Sequence, residues 1–342
     1  MSGEPGDRHV RWATVLNHLA AALPEETARV VVDGTDGGAA ALADRLAERL
    51  RAAGRQCVRL TGDTCAAEED GWHARTAGMV VVADGPRWRD RLPASSWHLT
   101  VWVRTPPART ASGGYRGEDA DAIVDLHDPA WPVIRHLSPR LVPGDRWYRT
   151  ESQAFFAARA ATWDSKFGDD LPAYTTAVTE ARLKPGGVVI DVGCGTGRAL
   201  PALRDAVGPQ GTVIGVDLTP QMLTAARDRA RACAAVLLLA DARRLPLADA
   251  VIDAVFAAGL VTHLPDPDAG LTELARITRP GGRLVLFHPS GRAALAARHG
   301  RTLRPDEPLA ETVLRASTAR TGWHLTSYDD PSHRFHAVAV RR

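Results

Sequence analysis

The sequence has 342 residues, with 42 basic and 40 acidic side chains spread along the chain for a formal net charge of +2. That length exceeds one ordinary domain, so two domains with sizeable cores are expected, and the even spread of charge excludes a concentrated footprint for nucleic acid or a membrane surface. The N-terminus is polar and no apolar run approaches the roughly 18 residues of a membrane span, which predicts a cytoplasmic protein. Cys57, Cys65, Cys194 and Cys233 form no CxxC pair and show no metal-ligand spacing, so reduced structural thiols and no metal site are expected.

A short helix is predicted over 10–22. It is followed by Arg29-Val-Val-Val-Asp33-Gly34-Thr35-Asp36-Gly37-Gly38, a strand running into glycines. The spacing Leu42, Leu46, Leu50 then gives an amphipathic helix. Residues 56–60, 79–83 and 99–103 read as buried strands and 123–126 as an edge strand, which together imply a parallel α/β sheet with helical crossovers.

This first region, 1–135, resembles the uridine-kinase-like branch of the P-loop kinases. The likeness rests on VVVDGTDGGAAALADRLAERLRAAG, on Asp63 in LTGD, on Asp84-Gly85 after the third strand and on ADAIVDLHDPAWPVI. A phosphate-binding loop needs GxxxxGK[ST], because its lysine neutralises phosphate and its hydroxyl holds magnesium. Counted from Gly34, the last three positions here are Ala39, Ala40 and Ala41. The Gly-, Pro- and Ser-rich stretch RTPPARTASGGYRGEDAD is also a poor helical lid. A pseudokinase is therefore expected, the alternative being an active nucleoside kinase that uses another cation. Asp63, which matches the family's acceptor-activating aspartate, marks either a nucleoside-like substrate pocket or a solvated loop.

Residues 136–150 carry Pro139, Pro143, Gly144 and several charges and are expected to be an exposed linker, with the second domain over 151–342. Phe155, Phe156, Trp163, Phe167 and Tyr174 cluster ahead of the second sheet, either as a cover for a ligand, with Phe167 and Tyr174 toward substrate, or as helix packing.

The second domain starts from the apolar strand 188–192, interrupted by Asp191 and followed by Gly193-Cys194-Gly195-Thr196-Gly197. Glycines let a ligand approach the backbone, and a helix starting near Gly197 would aim unpaired N–H groups at it. Strand 212–217 ends in Asp217, twenty positions after Gly197, where a doubly wound fold presents an acceptor to ribose hydroxyls. NAD and S-adenosylmethionine both fit that pattern, although GxGxG is not the dinucleotide GxGxxG. Strand 237–240 leads to Asp241-Ala242, a hydrogen-bond acceptor with an apolar neighbour. Strand 253–257 opens into the loop 258–263, which places Ala258 and His263 at the carboxyl end of the sheet; His263 orients substrate, accepts a proton or braces the loop. His288, after strand 283–287, has a similar place. A helix over 269–278, an Arg- and His-rich stretch 291–304, a helix over 306–320 and a terminal antiparallel hairpin, 323–328 with 334–340, complete the chain.

VIDVGCGTG, VIGVDLTPQML, ADARRLPLAD, DAVFAAGLVTHLPDP and ELARITRPGGRLVLFHP, in this order and spacing, resemble the class I S-adenosylmethionine-dependent methyltransferases. The resemblance implies a Rossmann-like sheet, S-adenosylmethionine as cofactor and S-adenosylhomocysteine as product. It assigns cofactor contacts to Asp191, Gly193, Cys194, Gly195, Gly197, Asp217, Leu218, Met222, Asp241, Ala242 and Ala258. The expected partner is a small-molecule acceptor, nucleoside-like chemistry being suggested by the first domain, and the dead kinase fold is expected to scaffold a homodimer or to present substrate. The competing classes are a nicotinamide oxidoreductase and a regulatory protein that binds its nucleoside ligand without catalysis.

Overall fold

A computed structural model describes residues 5–34, 37–62, 76, 78–105, 119–141, 146–167, 169–298 and 302–342. Asp63 and Cys65, and the side chain of Phe167, lie outside the described residues. The chain divides into two units, Met1–Glu151 and Ser152–Arg342, and each has its own sheet.

In the first unit, β1 (Ala28–Gly34) is flanked by β3 (Val80–Asp84) and β4 (Leu99–Arg104), with β2 (Cys57–Leu60) beyond β3 and β5 (Ala122–Asp125) beyond β4. These five strands are parallel, and β3 is buried at every position, as expected of a strand covered by helices on both faces. Helix Gly38–Ala52 packs its Leu42, Leu46 and Leu50 stripe inward, and all three are at most 1% exposed. Burying each such side chain stabilises the unit by about 1.5–3 kcal/mol.

Two expectations need correcting here. The strand expected at the edge, β5, is covered by an antiparallel sixth strand, β6 (Val133–Leu137), with Ala122 opposite Leu137 and Asp125 opposite Val133. The stretch 136–150 is likewise not simply an exposed connector, because it contains the end of β6 and the start of helix Arg146–Ala157. Trp147 and Tyr148 are buried, and Glu151 is fully buried between the Arg11 guanidinium and the Ile134 amide, which donates to Oε2 at 2.6 Å. Pro132 and the mixed polarity of VIRHL hide that strand, and Pro143 and Gly144 draw attention away from the helix after them.

In the second unit the sheet order is β12 (Trp323–Asp329), β13 (Phe335–Arg341), β11 (Thr278–His288), β10 (Ile252–Ala258), β7 (Val188–Val192), β8 (Thr212–Asp217) and β9 (Val236–Leu239). The strands from β11 to β9 are parallel, whereas β13 is antiparallel to both β11 and β12, so the terminal hairpin is present with its second strand wedged inside the sheet. Val189, Phe256, Val285 and Phe287 are core residues from three adjacent strands. The last helix, Glu311–Arg320, starts later than expected from 306. Pro305 and Pro308 explain the delay, since a residue before proline is pushed out of the α region. Among the described residues no helix is long and apolar enough to cross a membrane.

Candidate functional site

In the second sheet the connection from β7 runs toward β8 and that from β10 toward β11, so neighbouring strands send their chains to opposite sides. A crevice opens at the carboxyl ends of such a pair. One wall is the glycine turn after β7. The other is the loop after β10, where a 3₁₀ turn, Val261–His263, follows Gly259. The walls face each other, since a Cβ on Gly193 would come within 3.2 Å of Leu260 Cδ1.

The glycine turn is held from β8. Gly193 and Cys194 donate their amides to the Val216 carbonyl at 2.8 and 2.9 Å, and Gly195 N–H donates to Asp217 Oδ2 at 2.9 Å. Asp217 Oδ1 accepts the Thr219 amide at 2.8 Å. The helix after the turn begins at Leu200, not near Gly197, with Pro201 in its first turn. The three glycines all have positive φ, but they differ in surroundings. A Cβ on Gly197 would meet Leu200 Cδ1 at 2.8 Å, whereas one on Gly195 would meet no protein atom within 4 Å. Gly197 serves packing, and Gly195 faces open space.

Asp191 is 2% exposed and its Oδ1 has no hydrogen-bond partner. Burial, reinforced by the nearby Asp217 carboxylate, pushes its carboxyl up to about 8. Burial also raises Asp217 above the ordinary range, against the hydrogen bonds from the Thr219 and Gly195 amides. A buried and a half-buried carboxyl beside a glycine turn make a place that favours a cation. Cys194 is buried, its thiol is pushed well up by burial, and its Sγ–H points to the Gly195 carbonyl at 3.9 Å, so it is an apolar filler.

The remaining expected residues are placed as follows. Leu218 is half-buried at the end of β8, with its carbonyl accepting Gln153 Nε2 at 2.9 Å. Met222 and Ala242 are buried, and Ala258 is half-buried at the end of β10. Asp241 is engaged by its own turn: Arg243 donates its amide and Nε to Oδ1, both at 3.0 Å, and Nη2 to Oδ2 at 2.6 Å. His263 is half-buried and meets the edge of Phe156 at a ring distance of 5.3 Å and 90°. His288 Nδ1 lies 3.0 Å from both the amide and the carbonyl of Ser290, and its Cδ2 would be 3.8 Å from a Cβ on Gly259. Tyr174 turns to the core instead, with Phe287 at 5.0 Å and Phe256 at 6.3 Å.

A charged cluster was not legible from the sequence. Arg198, 6% exposed, reaches Asp164 at 3.1 Å and also pairs with Asp170. Thr196 Oγ1 donates to Asp164 Oδ1 and Arg229 Nη1 to Asp164 Oδ2, each at 2.6 Å. Asp164 carries no motif. Its partners Thr196, Arg198 and Arg229 lie far along the chain, and no spacing links them to it. Among the described residues no group of three or more His, Cys, Asp or Glu is placed to hold a metal.

The sheet order and this turn define a Rossmann-like methyltransferase fold, and residues 190–286 match the family described as a methyltransferase domain. The C-terminal part thus has a Rossmann-like methyltransferase fold. The chain is 42% identical over 107 residues to an uncharacterized 37.1 kDa protein in a transposon of Streptomyces fradiae, a match covering 31% of either chain. It is 35% identical over 112 residues to a ubiquinone/menaquinone biosynthesis C-methyltransferase of Burkholderia mallei, covering 32% of this chain and 46% of that one. The match thus spans less than half the length of either relative. Among solved structures, a SAM-dependent methyltransferase from Aquifex aeolicus superposes with a TM-score of 0.46 at 23% identity, covering 54% of this chain and 98% of the other.

Proposed function

We propose that the chain is an S-adenosylmethionine-dependent methyltransferase that moves a methyl group to a small-molecule acceptor by direct displacement, with S-adenosylhomocysteine as product. The observation that carries the reading is Asp191, a buried carboxyl whose Oδ1 has no hydrogen-bond partner, near the half-buried Asp217 carboxylate and a glycine whose missing side chain leaves room. The residues fit the cofactor. Asp217 has lone pairs left for ribose hydroxyls, Asp191 suits the cationic amino-acid end, Gly195 admits close approach while Gly193 and Gly197 shape the turn, and Leu218, Met222 and Ala242 flank a base. When bound, the cofactor supplies a methyl carbon made electrophilic by its sulfonium.

The protein's share of the chemistry is then to align the acceptor and keep water out. Phe156 and Trp163, 5.7 Å apart, make an apolar wall against His263. In this reading His263 orients the acceptor or takes its proton at a ring nitrogen, and His288 braces the neighbouring loop through Ser290. The acceptor atom, and with it O-, N- or C-methylation, follows from the acceptor and not from this geometry.

The runner-up, a nicotinamide oxidoreductase, is disfavoured because Asp191, buried beside the glycine turn, would oppose a pyrophosphate there. Calorimetric titration of the full chain with S-adenosylhomocysteine and with NADH separates the two. Binding of NADH alone would overturn the methyltransferase reading.

For the first unit we read a kinase-like fold without kinase chemistry, spanning 1–135, joined through 136–150 to the catalytic domain 151–342. The parallel order β2-β3-β1-β4-β5 is compatible with it. So are the charges at the strand ends, where Arg89 already pairs with Asp33 and Arg59 with Asp84 at 2.6 Å. Its role in this reading is a scaffold, through homodimerisation or presentation of a nucleoside-like substrate, in a cytoplasmic protein that needs no metal.

A further inference from the structure

We propose that Asp164 and Arg229 form a releasable latch, which holds a strap across the crevice and sets how fast the spent cofactor leaves. This inference rests on the S-adenosylmethionine reading of the same site.

The strap touches both walls. On the β10 side, Phe156 stands edge-on to His263 at 5.3 Å, and Trp163 packs on Phe156 at 5.7 Å. Three residues before Phe156, Gln153 is tied to the Leu218 carbonyl at the end of β8. On the β7 side, Asp164 accepts from Thr196 Oγ1 and Arg198 Nη1, both in the glycine turn, and from Arg229 Nη1 on helix Pro220–Ala232. The stretch 156–164 therefore reaches from the loop after β10 to the turn after β7, over the place where a ligand of an open α/β sheet binds.

The two ion pairs at the β7 end differ in burial. Arg198 and Asp170 are 6% and 15% exposed, and the Arg198 guanidinium also lies 5.9 Å from the centre of the Tyr174 ring. Arg229 and Asp164 are 28% and 39% exposed. A partly exposed pair is weak and screened by salt, while a buried one that lost a partner would leave an uncompensated charge. The Arg198–Asp170 pair is thus the fixed pivot and Asp164 the end that lets go. Although burial works against it, the hydrogen bonds from Thr196, Arg229 and Arg198 hold the Asp164 carboxyl below its ordinary value. The latch stays charged at neutral pH, so ionic strength rather than pH opens it.

Asp164 and Arg229 are positioning residues, and their test is the dissociation rate of S-adenosylhomocysteine from the full chain, followed by rapid displacement. In Asp164→Asn and in Arg229→Met, release should be about fivefold faster with an unchanged association rate, the size expected for losing a partly exposed pair. The double variant should be no faster than Asp164→Asn alone, because Arg229 holds the strap through Asp164. Raising salt from roughly 0.05 to 0.5 M should speed release from the unaltered protein and leave the variants unaffected. Variants with the unaltered release rate and salt response would overturn the latch, as would a loss confined to the association rate. Failure of the unaltered protein to bind S-adenosylhomocysteine at all would overturn the underlying reading and the latch with it.

Discussion

Asp217 Oδ2 accepts the Gly195 amide at 2.9 Å, so the carboxylate that meets ribose hydroxyls in the proposed reading also closes the glycine turn. Asp217→Ala should therefore weaken S-adenosylhomocysteine binding by about 1.5–3 kcal/mol or more, roughly 10- to 150-fold, since charge-assisted hydrogen bonds are lost on both sides. Calorimetry checks this, and an unchanged affinity would remove Asp217 from the site.

Gly195 and Gly197 should respond differently to alanine. At Gly195 the new methyl meets no protein atom, so the loss of stability is limited to the left-handed backbone at φ 54°, about 1–2 kcal/mol, while ligand binding is abolished. At Gly197 the methyl lies 2.8 Å from Leu200 Cδ1 and 3.3 Å from Ala226 Cβ, so thermal stability should fall further. Thermal melts beside binding titrations distinguish the two, and equal melting losses would refute the distinction.

Asp191 predicts a pH dependence. Its carboxyl, ordinarily at 3.8, is raised to about 8 in the folded protein, so between those values the folded state keeps a proton that the unfolded chain has lost. Stability contributed by the neutral form is present at low pH and declines as pH rises through that window. Asp191→Asn should flatten the decline and raise the melting temperature of the ligand-free protein near pH 8, yet weaken S-adenosylmethionine binding. In the unaltered protein a bound cation favours the ionised form, so binding should release a proton at pH 7. Equal heats in buffers of different ionisation enthalpy would show that no proton is released.

The first unit should not phosphorylate nucleosides with ATP, because Ala40 and Ala41 stand where a lysine and a magnesium-binding hydroxyl are needed. A coupled assay with uridine and cytidine tests it. Magnesium-dependent turnover abolished by Asp63→Asn would make the chain bifunctional.

What the sequence disclosed were features carried by local patterns. Val188 to Val192 is an uninterrupted strand pattern apart from its aspartate, and the Leu42, Leu46, Leu50 stripe fixes the buried face of its helix. The carboxyl-end positions of Asp217 and His263 follow from the strands before them. Contacts between distant charges were hidden, since nothing periodic links Asp164 and Asp170 to Arg198 and Arg229. Side-chain direction was hidden too: the aromatic cluster reads as one group, but Phe156 turns to His263 while Tyr174 joins Phe256 and Phe287. Arg243 was visible beside Asp241, but its bidentate grip depends on a turn geometry that composition does not encode.

That grip makes Arg243 an internal competitor for any base that reaches Asp241. Both carboxylate oxygens already accept from a guanidinium two residues away, at 3.0 and 2.6 Å, and a tethered partner has a high effective concentration. In the proposed reading an exocyclic amine must share the carboxylate instead of claiming it, so the base end should discriminate poorly and most selectivity should fall on the ribose and amino-acid ends. S-inosylhomocysteine, which presents a carbonyl where adenine has its amine, should then bind within about a factor of ten of S-adenosylhomocysteine, since a fully used charged hydrogen bond would cost more than that on removal. Competition titration measures the ratio, and in Arg243→Ala the preference for adenine should sharpen.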